Sequence, residues 1–148
     1  MDKNDEKALA DIEKYGCHIL LVLESEDHSR FAYSIGIEQR TGHPEIIITG
    51  LKHDLAHSLI NEYNERVKAG EVFESDKYYS GFIENFDVTF KKVEQKHFKD
   101  YFGWARWLYK NDEFTVLQLI YPSTSGVWPW DPNAAEDFTF YVPRLYKN

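Results

Sequence analysis

His53-Asp54-Leu55-Ala56-His57 places two histidines at i and i+4, a spacing that on a helix turns both imidazoles to one side and can hold zinc. The metalloprotease form of that motif needs a Glu directly after the first His as general base. Asp54 stands there instead, one methylene shorter, and no third ligand follows at the usual spacing. No metal site is expected. His43-Pro44-Glu45 contains the His-x-Glu of zinc deaminases, but those enzymes also need a Pro-Cys-x-x-Cys pair, and Cys17 is the one cysteine of the chain. His43 and Glu45 retain two options: acid/base work if they share a cleft, or hydrogen bonding within a turn. Cys17 and His18 are neighbours on a strand and point to opposite faces, so they form no nucleophile pair; Cys17 reads as a small core residue. Ser34, Ser123 and Ser125 lack the Gly-x-Ser-x-Gly elbow. Ser123-Thr124-Ser125-Gly126 has no lysine to make a phosphate loop, and Gly36, Gly42 and Gly50 are not spaced for a dinucleotide. No cofactor is expected.

The least ordinary stretch is Val127-Trp128-Pro129-Trp130-Asp131-Pro132. Two prolines fix φ nearby, so two large rings are presented at little entropic cost, as suits a binding hot spot. Trp130, between the prolines, is expected to anchor the loop in a core notch while Asp131 caps a backbone group. Trp128 is expected to be freer to meet a partner, and Trp104 and Trp107 to extend its surface. The structural alternative is that the rings clamp the loop to the core.

These groups need a frame. Residues 4–15 read as a helix capped by Asn4 or Asp5, with Ala8, Leu9, Ile12 and Tyr15 on one apolar face and Gly16 as its stop. Residues 17–23 and 30–36 read as an antiparallel hairpin, and residues 45–49 as a β-branched third strand. Leu55, Ala56, Leu59, Ile60, Tyr63 and Val67 form one helical arc that ends at Gly70. Residues 71–84 read as a loop with a short strand. Phe86, Val88 and Phe90 alternate as a half-buried strand. Phe98, Tyr101, Trp104, Ala105 and Leu108 mark one further helix, residues 114–121 a strand, and residues 138–142 an edge strand. Short turns without regular βαβ alternation give an α+β class: a mostly antiparallel sheet packed against two to three helices.

At 148 residues, 43% hydrophobic and 16% aromatic, the chain reads as a single compact domain, residues 1–148, that folds without staples. The lone cysteine suits a reducing compartment, the cytoplasm. Residues 1–16 are acidic without an apolar core, so no signal peptide is expected, and no apolar run approaches a membrane span. The net charge of −8 disfavours nucleic acid and suits a basic protein partner.

Several blocks together resemble the bacterial domain-of-unknown-function 4262 family. They are Phe31-Ala32-Tyr33-Ser34-Ile35-Gly36, Gly42-His43-Pro44-Glu45, Thr49-Gly50-Leu51, Gln118-Leu119 with Pro122, and Gly126 followed by Pro129-Trp130-Asp131. The likeness runs from about Asp11 to Asp131. Ser34 stands where the family pattern has Thr, Ile37 where it has Leu, and Cys17 where Trp is frequent. The resemblance implies no activity. It marks Tyr33, His43, Glu45, Gln118, Trp130 and Asp131 as motif positions that could line a polar cleft beneath the Trp loop.

Two functions follow as expectations. One is a protein-binding module, possibly an immunity or antitoxin-like inhibitor of a bacterial toxin, which occupies a basic site with acidic and aromatic residues, Trp128 among them. The other is a small enzyme or ligand-binding domain using His43, Glu45 and Gln118.

Overall fold

The computed structural model describes residues 2–147. A six-stranded sheet runs in the order β1 (His18–Val22), β2 (Phe31–Ile35), β3 (Glu45–Thr49), β6 (Val116–Ile120), β5 (Phe86–Lys92), β4 (Tyr78–Ile83). The hairpin of β1 and β2 is antiparallel, with Leu20 opposite Tyr33. The class is α+β, and every strand pair is antiparallel but one: β3 and β6 lie parallel, with Ile47 opposite Gln118. No local pattern announces that pair, because the chain between its members passes through a long helix and a whole hairpin.

Alternation of side chains makes two cores. Ala32, Ile46, Ile48, Leu117 and Leu119 join the buried side of α3 (His53–Lys68) and the ring cluster of Phe73, Phe82 and Phe90. Phe31, Tyr33, Ile35, Ile47 and Val116 point the other way, to α1 (Lys3–Tyr15), α4 (Phe98–Tyr101) and α5 (Gly103–Tyr109). Strands β2, β3 and β6 are buried along their whole length because both faces are covered.

Four sequence expectations change. Helix α1 is capped two to three residues earlier, where Asp2 accepts from the backbone N–H of Asp5 at 2.9 Å. Leu55 is 43% exposed, because the buried arc of α3 is narrower than the apolar pattern and begins at Ala56. The single helix expected over 98–108 is two, broken at Phe102, whose ψ of 44° leaves the helical region. Phe102 is fully buried and packs edge-on to Tyr33, so tertiary packing sets its backbone. The edge strand expected over 138–142 is instead α6 (Glu136–Tyr141): two carboxylates in its first turn favour a helix start, and the sheet edges are β1 and β4. A short helix that the pattern did not reveal, α2 (Ile37–Thr41), links β2 to β3.

No described helix is long and apolar enough to cross a membrane.

Candidate functional site

Two sequence blocks meet at α2. Gly36 takes φ +105°, which favours glycine, and turns the chain from β2 into the helix. Gly42 ends the helix at φ +81°, His43 donates its N–H to the Thr41 hydroxyl at 3.1 Å, and Tyr63 donates to the carbonyl of Pro44 at 2.8 Å. The chain thereby returns Glu45 beneath the start of the helix it has just left. The fully buried Glu45 carboxylate accepts from five donors: the Ser34 hydroxyl, the N–H groups of Gly36, Ile37 and Glu38, and the Tyr109 hydroxyl. Burial pushes the carboxyl up to about 7, against the downward pull of Tyr109, Ser34 and the backbone donors. Glu45 thus pins α2 to β3 and α5 with every oxygen engaged and no surface to offer a substrate.

Gln118 is also fully buried. Its amide donates to the carbonyl of Pro143 at 2.8 Å and accepts from the N–H of Leu145 at 3.4 Å, holding the C-terminal segment to the sheet. The Tyr33 hydroxyl accepts from the N–H of Trp104, a first-turn donor of α5 that has no partner within the helix. Burial raises that phenol to about 12. His43 is half-buried on the α2 turn. The structure therefore brings Glu45 and Gln118 onto paired strands but gives each a separate main-chain task. The Cys17 thiol is buried and pushed up to about 12 by desolvation, as a core cysteine would be. Of the helical histidines, His53 bonds the carbonyl of Val22 at 3.2 Å and His57 the side chain of Asn61 at 3.1 Å.

The Trp loop reverses the roles expected of its rings. Trp128 is half-buried, packed on the first core and edge-on to Tyr78 at 5.3 Å, and Trp130 is 42% exposed. The two indoles stack with centroids 5.2 Å apart and planes 5° apart. A turn across Pro129 and Trp130 accompanies the stack. The Asp131 N–H donates to the Trp128 carbonyl at 3.0 Å, and the Asp131 carboxylate accepts from the Asn133 N–H at 2.8 Å. The anchor is therefore Trp128 and the presented ring is Trp130. Trp104 and Trp107 pack on the second core and do not extend this surface.

Beneath Trp130 lies an open hollow of about 580 Å³ walled by Tyr78, Lys91, Trp130, Thr139, Arg144 and Tyr146. The Lys91 ammonium sits 4.9 Å from the Trp130 ring centre and 5.3 Å from that of Tyr146, and is paired with Asp76. A second hollow of about 780 Å³ shares Asp76, Lys91 and Tyr146 and continues past Lys92, Lys96 and Lys147. Of the sequence motifs, only the Trp loop lines the first hollow, through Pro129 and Trp130; Gln118 holds its C-terminal wall from behind, and Gly50 lets α6 approach the sheet. Sequence reasoning missed Lys91, Arg144 and Tyr146. Only the last residues of β5 and a tail folded back through Gln118 put them beside Trp130, and no local spacing shows that.

The reversal gives a direct test. Trp128→Ala is expected to cost about 2 to 3 kcal/mol, somewhat less than a fully buried indole. Trp130→Ala should cost about 1 kcal/mol, the scale of one stacked pair or cation–π contact. Urea melts of both variants decide it; a Trp130→Ala loss equal to or above that of Trp128→Ala would restore the expected order.

A sequence model of the family described as Domain of unknown function (DUF4262) matches residues 11–135. No curated protein and no solved structure matches the chain.

Proposed function

We propose that this chain, which belongs to the DUF4262 family, is a protein-binding module that captures a segment of its partner in the hollow under Trp130. The observation that carries this reading is a large exposed ring held in one place. Trp130 is stacked on a seated Trp128, faced by the Lys91 ammonium, and stiffened by prolines on either side. A pre-ordered aromatic of this kind loses little freedom on contact, which is what makes tryptophan a hot-spot residue. The other candidate cleft, of His43, Glu45 and Gln118, receives no comparable support, because Glu45 and Gln118 are sealed and spend their polar atoms on the fold. An inhibitor of a toxin remains one form this module could take.

The test is affinity capture from a lysate of the source organism, with the wild-type chain and Trp130→Ala as parallel baits and mass spectrometry as the readout. A protein retained by the wild type and lost with the variant, while both baits show near-equal urea midpoints, is the expected result. Identical captured sets for the two baits would remove Trp130 from recognition and end the proposal.

A further inference from the structure

The expectation of a basic partner comes from the net charge of the whole chain, and the charge around the hollows has a different balance. Five of the chain's 17 lysines and arginines line the two hollows: Lys91, Lys92, Lys96, Arg144 and Lys147. Four of its 25 carboxylates do so: Asp76, Glu94, Asp112 and Glu113. Most of the local acids are already used. Asp76 pairs with Lys91, Glu94 with Lys96 at 3.6 Å, and Asp112 with Arg106 at 2.8 Å. Among the described residues, Lys92, Arg144 and Lys147 make no ion pair. Of these uncommitted cations Arg144 lines the hollow under the rigid indole, and Lys92 and Lys147 line the adjoining hollow, in a chain of net charge −8.

Resting on the binding reading above, we infer that the partner segment is acidic. An apolar side chain of it lies against Trp130, one carboxylate against Arg144 in the same hollow, and a further carboxylate against Lys92 in the adjoining hollow. Arg144 is well suited to the first task. Its guanidinium is 5.9 Å from the Tyr146 ring, and its Nε donates to the Tyr146 carbonyl at 3.3 Å, which fixes the group while leaving its terminal nitrogens for a carboxylate. A nucleic acid would use the same cations and fits less well. The Trp130 ring is already covered in part by Trp128 and Lys91, which limits the flat area for a base. Beyond the two hollows the remaining charge is strongly negative and repels a continuing phosphate backbone.

The experiment is fluorescence anisotropy with short fluorescein-labelled peptides that share a central leucine and differ in flanks of glutamate, serine or lysine. An oligothymidylate of similar length runs in parallel. The baits are the wild type, Trp130→Ala, and the double variant Lys92→Glu with Arg144→Glu, both exposed positions. The acidic probe should bind the wild type about tenfold or more tighter than the basic one, and weaken as salt rises. Charge reversal should invert that preference, and Trp130→Ala should weaken the acidic probe. Equal affinity for all three peptides, still lost on Trp130→Ala, overturns the acidic inference and leaves the binding reading standing. Tighter binding of the oligothymidylate than of the acidic peptide replaces the peptide with a nucleic acid. Failure of the acidic probe to bind, with lysate capture that depends on Trp130 but survives charge reversal, also overturns the inference alone. Failure of both assays overturns the two together.

Discussion

Replacing Glu45 by glutamine is expected to remove this carboxyl's contribution to folding stability, one that falls away as pH rises from about 4.5 to about 8. The folded carboxyl is held up at about 7, against an ordinary value of 4.5, because full burial penalises its charge. The folded state therefore grips that proton more tightly than the unfolded chain does. The stabilisation is complete below about 4.5 and is lost as pH climbs through about 7, a difference of about 3 kcal/mol. Glutamine cannot titrate, so its curve lacks this term. It also turns an amide NH2 toward donors that need an acceptor, and should be less stable at low pH by about 1 to 3 kcal/mol. The gap between wild type and variant should then narrow by about 3 kcal/mol across the window. Asp11 and Glu71 are held below their ordinary values by His18, Lys7 and Arg66 and act at lower pH; burial lowers His97, which adds a rise of opposite sign near the window, and all three are common to both proteins. Urea melts at intervals of pH measure it; parallel curves for the two proteins would mean that Glu45 keeps the same charge in both states.

Gly50→Ala is expected to destabilise the chain by about 2 to 5 kcal/mol and to weaken partner capture as well. Two costs add. The residue sits at φ +80°, where a side chain is strained by about 1 to 2 kcal/mol. A Cβ there would stand 2.6 Å from the carbonyl oxygen of Tyr141 and 2.8 Å from the Tyr121 hydroxyl, so the end of α6 must move away. That helix end is tied down by the Ser29 hydroxyl, which donates to the Tyr141 carbonyl at 3.2 Å, and the Tyr121 hydroxyl donates to the Thr49 carbonyl at 2.7 Å. Moving α6 disturbs Thr139 and Val142 on the wall of the Trp130 hollow, which is why binding should suffer with stability. A control at Gly42 separates strain from crowding: φ there is +81° and a Cβ meets nothing within 4 Å, so Gly42→Ala should carry only the strain. Equal losses at the two positions would show that the approach of α6 to Gly50 contributes nothing.

Much of the frame was legible because its signals are local. The hairpin of β1 and β2, the strands β3 and β5, and the buried arc of α3 each announce themselves within a few residues by alternation or a 3.6 period. Family likeness was legible for a related reason: motif blocks are short strings, and the matched span of residues 11–135 holds them in order. Their meaning was not. Ser34, Gly36 and Glu45 form one hydrogen-bonded knot, visible only when the turn at Gly42 folds Glu45 back under α2.

By itself the sequence determined an α+β sheet with a lone core cysteine, and a stiff aromatic loop. These depend on composition, on period, and on dihedral limits that proline and glycine carry wherever they stand. Tertiary structure alone decided which tryptophan is presented and what surrounds it. The flanking prolines pointed to Trp130 as the anchor, and distant contacts reversed it: Trp128 is seated because Tyr78 of the far hairpin meets it, and Trp130 is left over a hollow whose cations come from β5 and the C-terminal segment. The parallel pairing of β3 with β6 and the grip of Gln118 on Pro143 bring those pieces together across the sheet. Contacts so distant in the chain are fixed by burial and by satisfying backbone hydrogen bonds, and neither leaves a spacing that can be read along the sequence.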